Sequence, residues 1–316
     1  MLRGDAMTAK AKHTAEAWFF IPFPNEGYLQ PVDDAAADGP FSDLARTFRQ
    51  NLSAAASAAS VPFHMAVASV HRRRFMQLNI AEQIRAREHL DEHGNVPEWA
   101  QKEAMEKASV RLRETSADLA DPTLDELSSH LDDSNFASAA RELLCQGDVL
   151  VWGALEVLAS DLFVAVLNGD PQLTTTLLEN ETAKRLFGLK TFTVDALAGF
   201  RFDLSRHMGD VLVSHHPVDS IPTMKTVFGT LYPQDEDLRQ ALNTRNLFVL
   251  NQRRHLIVHR RALIDAEYVR LVGEGSVGDR LIVSPEQFEG DILAVRDAGR
   301  ALLRSATSVF VQNDND

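Results

Sequence analysis

The chain has 316 residues, 45% apolar and 24% charged, a balance that excludes a disordered or fibrous polypeptide and leaves room for two folded domains. Its net charge of −13 argues against nucleic-acid binding driven by overall basicity, and the single cysteine, Cys145, forbids an intrachain disulfide and suits a reducing compartment. No uncharged apolar run reaches the ~18 residues of a membrane span, and the N-terminus lacks a leader pattern, so a cytoplasmic protein without membrane contact is expected.

Trp18 to Pro24 is aromatic and proline-punctuated and reads as an extended segment docked on a surface, with a loop over Asp33–Pro40. Alanine and leucine at helical spacing predict a helix from Phe41 to Ala59, ended near Pro62. A second helix, from Phe63 to His93, is closed by Gly94 and Pro97, and a third, rich in Glu, Lys and Arg, covers Glu98 to Leu119. Asp121-Pro122 and the acidic stretch to Asp133 mark the expected boundary. Residues 1–125 are then an N-terminal helical region of unassigned role, and residues 135–310 a second helical domain.

Phe136 to Leu167 carries apolar side chains on several faces, the pattern of a central bundle helix, although Glu156 and Asp161 interrupt it. Asn168-Gly169-Asp170-Pro171 stops it with turn chemistry. Shorter helices follow at 172–187, 191–214 and 221–231. Asp235 to Val272 contains neither Gly nor Pro, and its three leading acids sit where a helix N-terminus favours negative charge. Gly273–Asp279 is a turn and Arg280–Val283 a possible short strand. Ser284-Pro285-Glu286-Gln287 is a helix start with a capping box, opening a last helix to about Phe310. Helix after helix with short connections means an all-α bundle.

Chemistry concentrates in one stretch. From Arg245 to Arg261 there are five arginines (Arg245, Arg253, Arg254, Arg260, Arg261), no acid, and two histidines, His255 and His259. Histidine both accepts and donates protons near neutral pH, and arginine holds a phosphate through parallel hydrogen bonds. Attack of a 2′-hydroxyl on the neighbouring RNA phosphodiester needs both services, proton transfer and stabilisation of the phosphorane charge, and needs no metal. Arg245, Arg253, Arg260 and Arg261 would then steer the RNA backbone in.

Arg254-His255-x-x-x-His259 matches the arginine–x(4–6)–histidine signature of HEPN domains, including a polar residue directly after the arginine. Arg260, Asp265 and Tyr268 are similar to the Val-His-Asn-x-Gly-x-x-Asp continuation of prokaryotic members, with Arg260 in place of the asparagine and Ala262 in place of the glycine. The resemblance covers about residues 135–310, including the Trp152-x-x-x-Glu156 helix, with Glu156 as a supporting residue. It implies a HEPN-like bundle and a metal-independent endoribonuclease without cofactor. Arg254, His259 and His255 would be catalytic, in a toxin or anti-phage effector that an antitoxin or regulatory protein would hold in check. Positions 254 and 259 lie about 140° apart around a helix. One protomer therefore makes a poor site, and the family's arrangement is a homodimer with a composite site.

Other readings use the same residues. His255 and His259, four apart, have metal-ligand spacing, but Leu256 stands where the HExxH glutamate would be and no third ligand adjoins. His215-His216-Pro217 reads as a polar loop, His71-Arg72-Arg73-Arg74 as a solvated helix face, Cys145 as a small buried hydrophobe. The alternative function is a non-catalytic helical module that binds RNA, nucleotide or a protein through the same basic helix.

Overall fold

The structure, a computed structural model, describes residues 15–37, 39–115, 119–188 and 194–313. The helices are α1 (Gln30–Ala35), α2 (Ser42–Ala59), α3 (Val61–Ala86), α4 (Glu98–Glu114), α5 (Ala120–Ser129), α6 (Ser134–Gly169), α7 (Leu173–Glu179) and α8 (Glu181–Phe187). They continue with α9 (Val194–Gly199), α10 (Met208–His215), α11 (Ile221–Leu231), α12 (Glu236–Leu242), α13 (Arg245–Arg260), α14 (Ala266–Val272) and α15 (Pro285–Asn313). Among the described residues there is no strand. The expected strand at Arg280–Val283 is only an isolated antiparallel bridge from Arg280 to Leu263. The start of the predicted 191–214 helix, 191–193, lies outside the described residues.

The chain divides into two compact units, each discontinuous in sequence: residues 1–22 with 59–143, and residues 23–58 with 144–316. The expected boundary in the acidic stretch is corrected. That stretch is mostly α5, whose Leu124 and Leu127 share a core with Phe19, Ala66 and Ala140. Its Glu126 accepts from Ser69 at 2.8 Å and from Arg73 at 2.7 Å on α3. Charge density alone suggested a linker, but α5 buries Thr123, Leu124 and Leu127, leaves Asp121 and Asp125 exposed, and pairs Glu126 with α3.

Residues 23–58 belong to the second unit. A Cβ on Gly299 of α15 would meet the Phe48 ring of α2 at 2.2 Å, so glycine permits that approach, and Arg296 donates to the Tyr28 carbonyl at 3.2 Å. The expected loop at Asp33–Pro40 begins inside α1, which has proline in its first turn. The helix before Pro62 ends at Ala59, as expected, and Pro62 opens α3. Proline lacks only an N–H that the first turn would leave unpaired.

The second unit is built around α6, whose Trp152, Leu155, Leu158, Leu162 and Phe163 are buried. By length and composition α6 could cross a membrane, the one such single helix among the described residues. Here its side chains meet other helices: Phe163 stacks on Phe187 with ring centres 5.6 Å apart. Asn168, at its end, accepts from the Gly209 amide at 2.9 Å and donates to Asp210 at 2.8 Å.

The Gly- and Pro-free stretch 235–272 holds three helices. Asp235 caps α12 by accepting from the Leu238 amide at 2.9 Å, Thr244 sits in extended conformation before α13, and Asp265 caps α14 through the Tyr268 amide at 2.8 Å. Arg261 and Ala262 both adopt left-handed backbone, with φ of 54° and 60°. Asp265 satisfies a helix-start amide and Thr244 donates back to the Ala241 carbonyl at 3.3 Å, so the run is interrupted without glycine or proline. The capping box at Ser284 forms: its hydroxyl accepts from the Gln287 amide at 3.1 Å, and the Gln287 side chain accepts from the Ser284 amide at 3.0 Å.

Candidate active site

The motif helix α13 buries Leu247, Leu250, Leu256 and Ile257. Its outer edge carries the partly buried Arg254 and the exposed His255, His259 and Arg260. The two imidazole rings lie 4.9 Å apart, as one helical turn requires. The helix is regular through this region, so Arg254 and His259 stay about 140° apart around it.

Facing α13 is a stripe of α6 at i, i+4 and i+8: Asp148, Trp152 and Glu156. The buried Trp152 indole donates to Glu156, and a Glu156 oxygen lies 3.3 Å from Arg254 Nη2. Burial pushes the Glu156 carboxyl above its ordinary range. The Trp152 hydrogen bond and the Arg254 charge act against this, and Asp219 adds to it. Arg254 is thereby held by a side chain that a rigid core residue anchors, a pairing that removes rotamer freedom before any ligand arrives.

Arg253 is not an RNA contact. It is 2% exposed, donates through Nη2 to Asp291 of α15, and places Nε 3.2 Å from Asp148. One residue round the helix from Arg254, its side chain points into the core, where solvent and RNA do not reach. Burial, then their mutual charge, pushes the Asp291 carboxyl up, and burial also raises Asp148. Two carboxyls against one guanidinium thus hold a proton between them, which keeps the cluster neutral. Tyr268, 3% exposed, lies beside this cluster, and burial pushes its hydroxyl up to about 12.

Arg245 is corrected as well. Its guanidinium donates to the Val272 carbonyl and stands 5.4 Å from the Phe248 ring, and nine residues of helix place it about 13 Å from Arg254 along the axis. It closes α14, a structural task. Arg260 and Arg261 remain exposed at the end of α13, with Arg260 Nε 3.8 Å from Asp265. The two cations therefore flank the histidines.

The helix end has a cost. Ala262 N–H donates to the Leu256 carbonyl at 3.0 Å, a six-residue closure that requires left-handed backbone. Arg261 and Ala262 adopt it without being glycine. Replacing the exposed Arg261 by glycine should raise the unfolding free energy by about 0.5–1 kcal/mol, read from urea melts. A loss of stability would mean that the Arg261 side chain itself secures the turn.

A groove of about 430 Å³ runs between α13 and α14, with Arg254, His255 and Arg260 on one wall and Glu267 and Tyr268 on the other. His259 is not part of its lining. Among the described residues no three His, Cys, Asp or Glu side chains converge as a metal-binding group. Sequence reading singled out Glu156 but passed over Asp148 and Asp291. An acid four residues from Trp152 and eight from Glu156 was the available signal for Asp148. Asp291, in a helix remote in sequence, offered none. No protein-family model, curated protein or solved structure matches the chain.

Proposed function

We propose that this protein is a metal-independent endoribonuclease, working in the cytoplasm as a homodimer. The observation that carries the reading is one short helix segment in which Arg254, a cation held by Glu156, is followed by two imidazoles that share a face, His255 and His259, with Arg260 and Arg261 next to them.

In the proposed reaction one imidazole takes the proton of a ribose 2′-hydroxyl. The new oxygen–phosphorus bond forms as the bond to the 5′-oxygen breaks, and a second imidazole returns a proton to that leaving oxygen. Arg254 balances the charge that builds on the phosphoryl oxygens. Because Arg254 and His259 diverge around the helix, the complete set is assembled from two copies across a two-fold axis beside α13. A toxin or anti-phage effector restrained by a protein partner is the setting that the HEPN resemblance implies.

The test is the product. Incubation with single-stranded RNA should give ends bearing 2′,3′-cyclic phosphate, with undiminished rate in EDTA, and a 2′-deoxy sugar at the cut position should resist because the nucleophile is missing. Cutting of the deoxy substrate at the ribose rate would remove this mechanism. Retention of RNA without any cleavage would favour the binding module.

A further inference from the structure

We infer that Asn251 and Gln252 read one unpaired nucleotide base in the groove beside the motif, and so set the sequence preference of cleavage; this rests on the endoribonuclease reading above. The groove's volume, about 430 Å³, falls in the range of roughly 300–1,000 Å³ for small-ligand sites, so it has room for a single splayed nucleotide and not for a duplex. Leu256, Tyr268 and the partly buried Leu271 are the apolar members of its lining, beside which a base can pack.

The polar groups of that lining divide into committed and uncommitted ones. Asp265 caps α14 through the Tyr268 amide and faces Arg260. Glu267 is gripped by Arg270 through two nitrogens. The carboxamides of Asn251 and Gln252 line the groove, are partly buried, and make no hydrogen bond among the described residues. Neither amide is among the buried, unpartnered polar atoms of the described residues, so both still reach solvent and a ligand would replace water at them. A carboxamide presents a donor and an acceptor side by side, the arrangement on the edges of unpaired bases, which neither a lysine nor a carboxylate can match.

Position supplies the link to the chemistry. Asn251 precedes His255 by one turn, about 6 Å along the same edge of α13, and Arg254 lies between them in sequence. One nucleotide can therefore place its phosphate at Arg254 and His255 and its base at the amides.

The experiment is a cleavage map on a random-sequence RNA pool, comparing wild type with Asn251→Ala/Gln252→Ala. Wild type should prefer a base at one position next to the cut by roughly tenfold or more, and the double variant should still cleave but with that preference flattened. In parallel, single nucleoside monophosphates are titrated into the inactive His259→Ala protein while the Asn251 and Gln252 side-chain NH₂ signals are followed by NMR. Shifts of both signals support the proposal even if no RNA is cut, in which case the catalytic reading alone fails. A cutting enzyme with no preference, with a preference untouched by the double variant, or with unmoved amide signals overturns the inference and leaves the nuclease reading standing.

Discussion

Arg254→Ala and His259→Ala are each expected to lower RNA cleavage by roughly 10²–10³-fold or more while the protein stays folded. The structure gives the reason for the second half. His259 is exposed, and the Arg254 side chain is 31% exposed, so neither truncation opens a core cavity. Loss of Arg254 leaves Glu156 without its cation, but Glu156 is itself partly exposed and keeps its indole donor. A partly solvated pair of this kind contributes on the order of 1 kcal/mol.

His255→Ala should be milder if His255 only orients the phosphate. The two inactive proteins also report on assembly. If Arg254 of one copy serves His259 of the other, mixing them restores one intact site per mixed dimer, roughly a quarter of wild-type activity after subunit exchange. No recovery, with both variants shown to exchange, would place the whole site within one chain. Full activity in both variants would make Arg254 and His259 structural.

Arg253→Ala should have the opposite character, a large loss of stability. It removes the one cation among the described residues that pairs with Asp148 and Asp291, in a region where the side chains are 0–3% exposed. Breaking a buried pair from one side costs about 3–5 kcal/mol, a large part of the roughly 5–15 kcal/mol that holds a domain folded. Urea denaturation should show it. The failure of that variant to fold would be uninformative about chemistry, so Asp291→Asn is the companion. It keeps the shape and the neutral state.

The sign of the pH effect follows from the direction of the shifts. Both carboxyls are raised, so their protonated forms favour the folded state. That contribution is complete below the ordinary carboxylate range, near pH 4, and is lost as pH climbs through the folded value, about 9 for Asp291. Wild type should therefore lose stability from about pH 4 towards pH 9, and Asp291→Asn should lose much less over the same interval. An identical pH profile for the two proteins would mean that Asp291 is already ionised in the fold.

Helical periodicity and capping chemistry carried most of the secondary structure: α6 and α15 were legible to within a few residues, as were the Ser284 capping box and the acid-led helix start at 235–237. These are local patterns, in which a residue's neighbours in sequence are its partners in space. The shared face of His255 and His259, and the divergence of Arg254 from it, were legible for the same reason, since spacing along one helix dictates which side chains lie together.

The breaks at Thr244 and at Arg261–Ala262 were not. A threonine and an arginine carry no obligatory stop signal, and the left-handed turn exists because Ala262 bonds back to Leu256 and residues 262–264 pair with residues 278–281. Nor did the five arginines look different from one another in sequence. Tertiary packing sorted them. α6 and α15 present Asp148 and Asp291 to Arg253, α6 presents Glu156 to Arg254, and the end of α14 takes Arg245. Sequence alone established the helices and the order of charges along them. Only the packing of α6, α14 and α15 around α13 decided which charge is buried, because burial depends on what a face meets and that partner lies far away in the chain.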